Sequence, residues 1–109
     1  MEATKNRQPI VYLAGAISGV ENYWEPFEKA DDILRGLGVV VLNPARLPQG
    51  MTKADYMRLC FQMIDTADVV LLVDGWYGSD GARLERDFCL YIGKPVVGSI
   101  EAAREVIGV

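Results

Sequence analysis

The chain has 109 residues, of which 50% are hydrophobic and 24% charged, and 11 lysines and arginines against 15 aspartates and glutamates give a net charge of −4. This length suits one domain over residues 1–109, and we expect the polar residues 1–8 to be flexible. The apolar fraction excludes a disordered chain. The negative charge disfavours nucleic acid and acidic membranes as partners, and it leaves a compact anionic ligand open.

Histidine and cysteine usage excludes several kinds of catalytic and metal-binding site. The chain has no histidine, which excludes Ser-His-Asp and Cys-His catalysis and histidine-based zinc sites. Cys60 and Cys89 form no CxxC motif and fall in apolar helical patterns, so we expect small buried side chains there. We expect no metal and no cofactor. Neither a signal peptide nor an apolar run of the ~20 residues that span a bilayer is visible, which predicts a cytoplasmic protein.

The first half of the chain alternates strand and helix twice. Residues 10–15 form a short apolar run closed by glycine, which predicts a buried strand. Residues 22–37 have helical periodicity, with Pro26 in the first turn and glycines at the end. Residues 39–42 are a second strand, stopped by Asn43-Pro44, and a loop runs to residue 51. The apolar positions of this first helix are Trp24, Phe27, Ala30, Ile33 or Leu34, and Leu37.

The second half repeats the alternation. Thr52 is a plausible cap for a helix over residues 52–67, and residues 68–74 are the most apolar strand of the chain. The loop 75–80 leads to a helix over 81–92. A strand over 95–99 and a helix over 101–107 complete the pattern. Strands buried on both faces with helical crossovers predict an α/β fold, a flavodoxin-like or Rossmann-like three-layer sandwich with a parallel sheet of four or five strands.

In such sheets ligands bind beyond the carboxyl ends of the strands. This rule selects the loops 15–22, 43–50 and 75–81. The first loop contains Gly15, Ser18 and Gly19, whose small side chains would let backbone N–H groups approach an anion, although by itself this signal favours a structural turn. The motif matches neither GxGxxG nor a P-loop.

Glu85 is the residue that the periodicity makes conspicuous. Phe88, Cys89 and Ile92 follow it at +3, +4 and +7, so a carboxylate shares the apolar face of the third helix. Burial of a carboxylate is costly unless it is paired or used, and spacing alone leaves both readings open. Tyr12 in the first strand is either a core aromatic or a phenol that positions a carboxylate. Trp76 could stack on a planar ring or cover the core, while Ser79 or Asp80 could cap the helix.

These motifs together resemble a known family. The segment YLAGAISG at residues 12–19, the segment GWYGSDGARLE at 75–85 and GKPV at 93–96 are similar to the nucleoside 2-deoxyribosyltransferase superfamily. The likeness runs from about residue 10 to residue 98. It is closest to the small phage-type members and to the 2′-deoxynucleoside 5′-monophosphate N-hydrolases.

The resemblance implies a function. Glu85 would be the nucleophile that attacks the anomeric carbon of a (deoxy)nucleoside 5′-monophosphate, giving a covalent glycosyl-enzyme that water or a second base resolves. Tyr12 would lie beside it. The protein would act as a hydrolase (glycosidase) or transferase of nucleotide metabolism and form a homodimer or higher homo-oligomer. The implied substrate-binding residues are Gly15, Ile17, Ser18, Gly19, Trp76, Ser79 and Gly81.

One position departs from that family. Its members usually carry an Asp eight residues before the Asp that opens the third strand, and here that position is Cys60. A thiol is a poor acid for protonating a departing base. Asp55, Asp65 or Asp74 would have to replace it, and Asp74, at the end of the third strand, is the best placed. Two alternatives therefore stay open: a nucleotide-binding or nucleotide-signal-binding module with weakened catalysis, and a structural or partner-binding domain.

Overall fold

A computed structural model describes residues 7–109. Its sheet has four parallel strands in the order β2-β1-β3-β4. The strands are β1 (Ile10–Ala14), β2 (Val40–Leu42), β3 (Val69–Leu72) and β4 (Val96–Val97). The predicted α/β fold with a parallel, flavodoxin-like sheet is confirmed, with four strands. The expectation of flexibility at residues 1–8 falls mostly on residues 1–6, which lie outside the described residues.

Four helices connect and follow these strands. They are α1 (Trp24–Gly36), α2 (Lys53–Thr66), α3 (Asp80–Ile92) and α4 (Ile100–Ile107). Thr52 caps α2 in a capping box with Asp55, as the sequence indicated for Thr52. Ser79 caps α3 by accepting a hydrogen bond from the Ala82 N–H, and Ser99 caps α4 in the same way. None of the helices within residues 7–109 has the length and apolar character needed to cross a membrane.

Side chains alternate across the sheet and build two cores, one on each face. Val11 and Leu13 of β1 point to a core that α1 and α4 cover. Tyr12 and Ala14 point the other way, to a core that α2 and α3 cover with Cys60, Ile64 and Cys89. This alternation is the period of two that a strand imposes. The sheet therefore separates the residues around Tyr12 from those around Phe27.

The sequence and the structure differ mainly at the boundaries and on one helix face. The third strand ends at Leu72, two residues before the predicted end at residue 74, and of the predicted fourth strand over 95–99 only Val96–Val97 pairs as strand. Trp24 is 49% exposed, and of the alternatives Ile33 and Leu34 it is Leu34 that is buried. Asp31 takes the third buried position, together with Phe27 and Leu34. Phe27, Asp31 and Leu34 are spaced by four and three residues and lie on one side of the helix. The buried face of α1 therefore differs by a rotation about the helix axis from the face that the sequence predicted.

Candidate active site

Glu85 lies in the second turn of α3, on the face that packs against the sheet. Ala82 and Cys89, three residues before it and four after it, are buried on the same face. Glu85 is only 6% exposed. The periodicity therefore predicted its inward orientation correctly, and the structure shows which group satisfies it.

Tyr12 is that group. It lies in β1, next to both β2 and β3, and its ring is in the core beneath α2 and α3. The Tyr12 hydroxyl donates a hydrogen bond to Glu85 Oε1 across 3.0 Å. Residues 73 positions apart in the chain thus form one buried polar pair, because β1 and α3 pack face to face.

Burial sets the ionisation of this pair. Desolvation raises the pKa of Glu85 to about 7, although the Tyr12 hydrogen bond acts in the opposite direction by stabilising the carboxylate. Burial and the neighbouring carboxylate also raise the pKa of Tyr12 well above its ordinary value, so the phenol keeps its proton and remains a donor. Near neutral pH the site therefore holds a carboxyl group that is close to half ionised.

Cys60 is the third polar group of the cluster. It projects from α2 into the same core as Tyr12, close enough to Tyr12 and Glu85 for the three groups to influence one another's ionisation. Burial raises the pKa of its thiol to about 11, so the sulfur stays protonated. Cys60 therefore adds a neutral, protonated thiol to the surroundings of Glu85.

The loop after β1 contains four of the predicted binding residues. Ser18 and Gly19 are exposed, and Gly19 has a φ of 74°, which favours glycine. Ile17 packs against the core beneath α1. Gly15 has a packing role, because a Cβ there would collide with the side chains of Val73 and Phe27.

The loop after β3 contains the other predicted binding residues. It turns at Gly75, forms a 3₁₀ turn at Trp76–Gly78, and enters α3 through the Ser79 cap. Because the Ser79 oxygen only accepts in that cap, its hydroxyl proton is available to a ligand. Gly81 follows in the first turn. The Arg86 guanidinium lies 5.2 Å from the centre of the Trp76 ring, so one face of the indole is already covered.

Asp74 is placed apart from the Tyr12–Glu85 pair. It is exposed and lines a cavity of about 210 Å³ together with Lys29 and Ser99. Residues of α1 and the start of α4 form the walls, on the opposite face of the sheet from Glu85. The structure therefore brings Tyr12, Glu85 and Cys60 together and does not add Asp74 to them.

A second buried carboxylate was missed by the sequence reasoning. Asp31 accepts hydrogen bonds from Arg35 Nε at 2.6 Å and from Asn43 Nδ2 at 2.9 Å. It fastens α1 to the loop that follows β2. The signal that identifies Glu85, a carboxylate between apolar residues at helical spacing, is also present here between Phe27 and Leu34.

Comparison with known families gives one match. The family described as Domain of unknown function (DUF4406) matches residues 9–98. The chain belongs to this family. The DUF4406 region includes all four strands and α1 to α3, and so the Tyr12–Glu85–Cys60 cluster and both glycine-containing loops lie inside it. The family description names no activity. No curated protein matches the chain.

Proposed function

We propose that the protein cleaves or transfers the N-glycosidic bond of a (deoxy)nucleoside 5′-monophosphate, with Glu85 as the nucleophile. The observation that carries this proposal is the buried hydrogen bond between Tyr12 Oη and Glu85 Oε1. The pair lies between β1 and α3, and β1 and β3 are the neighbouring strands at which the strand order reverses, where α/β sheets bind ligands. The resemblance to the nucleoside 2-deoxyribosyltransferase superfamily assigns the same two residues to this chemistry.

Glu85 acts through its carboxylate oxygen. The oxygen bonds to the anomeric carbon as the bond from that carbon to the base nitrogen breaks, and the base leaves with the electron pair and takes up a proton from solvent water. The Tyr12 hydroxyl holds Oε1 and leaves Oε2 for attack. Water then adds to the anomeric carbon, releasing the sugar phosphate and regenerating the carboxylate, or a second base takes the place of water.

The two loops are proposed to bind the rest of the substrate. Backbone N–H groups near Ser18 and Gly19, the Ser79 hydroxyl and the amino end of α3 at Gly81 suit a phosphate, since a helix amino terminus favours an anion. This mode of binding needs no lysine or arginine, which fits a chain of net charge −4. Trp76 would stack on the base through the ring face that Arg86 leaves free.

The binding-module alternative has one specific observation in its favour. The thiol of Cys60, with a pKa of about 11, is a weak acid for protonating a departing base. A protein of this kind would bind the nucleotide and become more stable by RT ln(1 + [L]/Kd) without releasing free base.

We also propose a homodimer and a cytoplasmic location. Leu84, Leu90 and Tyr91 on α3 are 52%, 61% and 90% exposed, and exposed apolar surface is typical of association sites. Both cysteines are free thiols, which fits a reducing compartment.

The proposal is tested by incubating the protein with a panel of deoxynucleoside and ribonucleoside 5′-monophosphates and measuring free base by chromatography. We expect base release from at least one nucleotide, and we expect Glu85→Gln to reduce it to the uncatalysed background. Glu105→Gln is the control, because it makes the same change at an exposed carboxylate of α4.

The outcomes distinguish the enzyme from the binding module and can exclude both. Base release that survives Glu85→Gln excludes Glu85 as the nucleophile. A raised melting temperature with one nucleotide and no base release establishes the binding module instead. Neither effect with any nucleotide contradicts both functions.

A further inference from the structure

The cavity of about 210 Å³ between α1 and α4 lies at the carboxyl end of β3, on the opposite face of the sheet from Glu85. This space remains because β4 is short. The last residue pair between β3 and β4 is Leu71–Val97, whereas β3 continues to Leu72 without a partner in β4. The chain then leaves the sheet and begins α4 after Ser99. We call the space that this leaves beside β3 the α1–α4 cavity.

Two opposite charges line the α1–α4 cavity without neutralising each other. They are the exposed side chains of Lys29 on α1 and Asp74 after β3, and no ion pair joins them. Within residues 7–109, every arginine and lysine except Lys29 and Lys53 donates a hydrogen bond to another residue. An ammonium and a carboxylate that face one cavity and stay unpaired are complementary to a ligand that carries both charges.

One wall of the cavity is apolar. Pro26, Ala30 and Ile33 of α1 line it together with Lys29, at spacings of three and four residues that place them on one side of the helix. Ile33 is 48% exposed, although the sequence pattern of α1 includes it among the apolar positions. An aliphatic group of a ligand would cover this side chain and remove its apolar surface from water.

The opposite wall supplies hydrogen-bond donors. The Ser99 oxygen accepts from the Ala102 N–H at 3.1 Å, so its hydroxyl proton is available to a ligand. The N–H of Ile100, the first residue of α4, has no acceptor inside the helix. Both residues line the cavity. Donors at the amino end of a helix favour an anionic group such as a carboxylate.

We propose that the α1–α4 cavity binds an α-amino acid with an aliphatic side chain. Lys29 and the amino end of α4 bind its carboxylate, Asp74 binds its ammonium group, and Ile33 packs on its side chain. The cavity is smaller than the roughly 300–1,000 Å³ of sites for drug-sized ligands, which suits a ligand of this size. Because the cavity and Glu85 lie on opposite faces of the sheet, this proposal does not depend on the N-glycosidic activity.

Calorimetric titration of the unmodified protein with L-leucine tests the proposal, at neutral pH in a buffer without amino acids. Isocaproate, which is leucine without its ammonium group, and isoamylamine, which is leucine without its carboxylate, are titrated in parallel. We expect a Kd of about 1 mM or lower for leucine. Each analogue should bind at least about tenfold more weakly, the equilibrium effect of one lost hydrogen bond to a charged group.

Two variants assign the charges to their residues. Lys29→Gln and Asp74→Asn should each weaken leucine binding at least about tenfold. Asp74→Asn should also remove the preference for leucine over isocaproate, because the ammonium group then has no carboxylate to bind. Lys53→Gln and Asp65→Asn are the matched controls, since they make the same changes at exposed residues outside the cavity, and they should leave the Kd for leucine unchanged.

The selectivity of the unmodified protein decides the proposal even if a variant fails to fold. Absence of leucine binding would overturn it, as would isocaproate or isoamylamine that binds as tightly as leucine. Leucine binding that is unchanged in both folded variants, Lys29→Gln and Asp74→Asn, would place the ligand elsewhere and would also overturn it.

Discussion

A carboxylate with a pKa of about 7 is the central feature at the scale of single residues. Glu85 must be ionised to attack an anomeric carbon, and burial opposes that ionisation. We therefore expect turnover to rise with pH along a limb centred near 7 and to level off above it. A pH profile of base release measures the limb. A limb near pH 4.5, the ordinary value for a glutamate, would show that the acting carboxylate is not a buried one.

Tyr12→Phe tests the hydrogen bond that this limb depends on. The Tyr12 hydroxyl lowers the pKa of Glu85, so its removal should move the limb to higher pH. A hydrogen bond to a charged group contributes about 1.5–3 kcal/mol, which corresponds to roughly one to two pH units. Activity lost at pH 7 should return in part at pH 9. Tyr91→Phe should leave the profile in place, and a Tyr12→Phe profile that falls without moving would assign Tyr12 a different role.

The raised pKa of Glu85 also makes the stability of the folded protein depend on pH. The folded state binds the Glu85 proton more tightly than the unfolded chain, so the stabilisation is present below pH 4.5 and is lost as pH rises to about 7. The loss is on the order of 3 kcal/mol. We expect Glu85→Gln to raise the free energy of unfolding at pH 8 and to change it little at pH 4. Urea denaturation at the two pH values measures this. An equal effect at both would show that ionisation is not the cause.

At the scale of elements, local sequence signals account for most of the helices. The Thr52 capping box begins α2, and we expect Thr52→Ala to destabilise the protein by about 1 kcal/mol. Thr66→Ala, in the last turn of the same helix, is the control, since the Thr66 hydroxyl only bonds back to the Gln62 carbonyl. Equal losses from the two variants, measured by urea denaturation, would show that the cap contributes nothing particular.

Elements also show where sequence reasoning reached its limit. The inward face of Glu85 followed from the positions of Phe88, Cys89 and Ile92 on one helix, although Ile92, at the end of α3, is 45% exposed and does not share the buried face. Its partner Tyr12 is 73 residues away, and only the packing of α3 on β1 brings the two together. Asp74 has the correct position in the chain, at the end of β3, yet it lines a cavity on the other face of the sheet. A residue that follows the last paired residue of a strand can lie on either face of the sheet. Its closeness to the strand end therefore does not predict which face it occupies.

At the scale of the whole molecule, the alternation of strands and helices was sufficient to predict the fold. A parallel sheet with helical crossovers needs apolar strands about 30 residues apart, and the chain has them. The strand order was not predictable in the same way. Whether β3 pairs with β1 or with β2 depends on packing between distant helices, and it is this order that places the β1 and β3 loops side by side.

The prediction for the whole molecule is that two copies of the chain associate as a homodimer. We expect light scattering to give a mass about twice that of the 12.0 kDa chain. Leu84→Glu should shift the protein to the monomer, because it places a charge on the exposed apolar surface of α3. Val106→Glu is the control on α4, at 46% exposure against 52% for Leu84. A monomeric unmodified protein at high concentration would contradict the homodimer.

The most direct test of Glu85 as a nucleophile is the mass of the protein during turnover. The protein is mixed with a deoxynucleotide that it cleaves, and the reaction is quenched in acid during turnover. Mass spectra of the intact protein and of its peptides are then recorded. We predict an added sugar-phosphate mass on the peptide that contains residue 85, and its absence in Glu85→Gln. An adduct on another residue, or base release that continues in Glu85→Gln, would contradict the account.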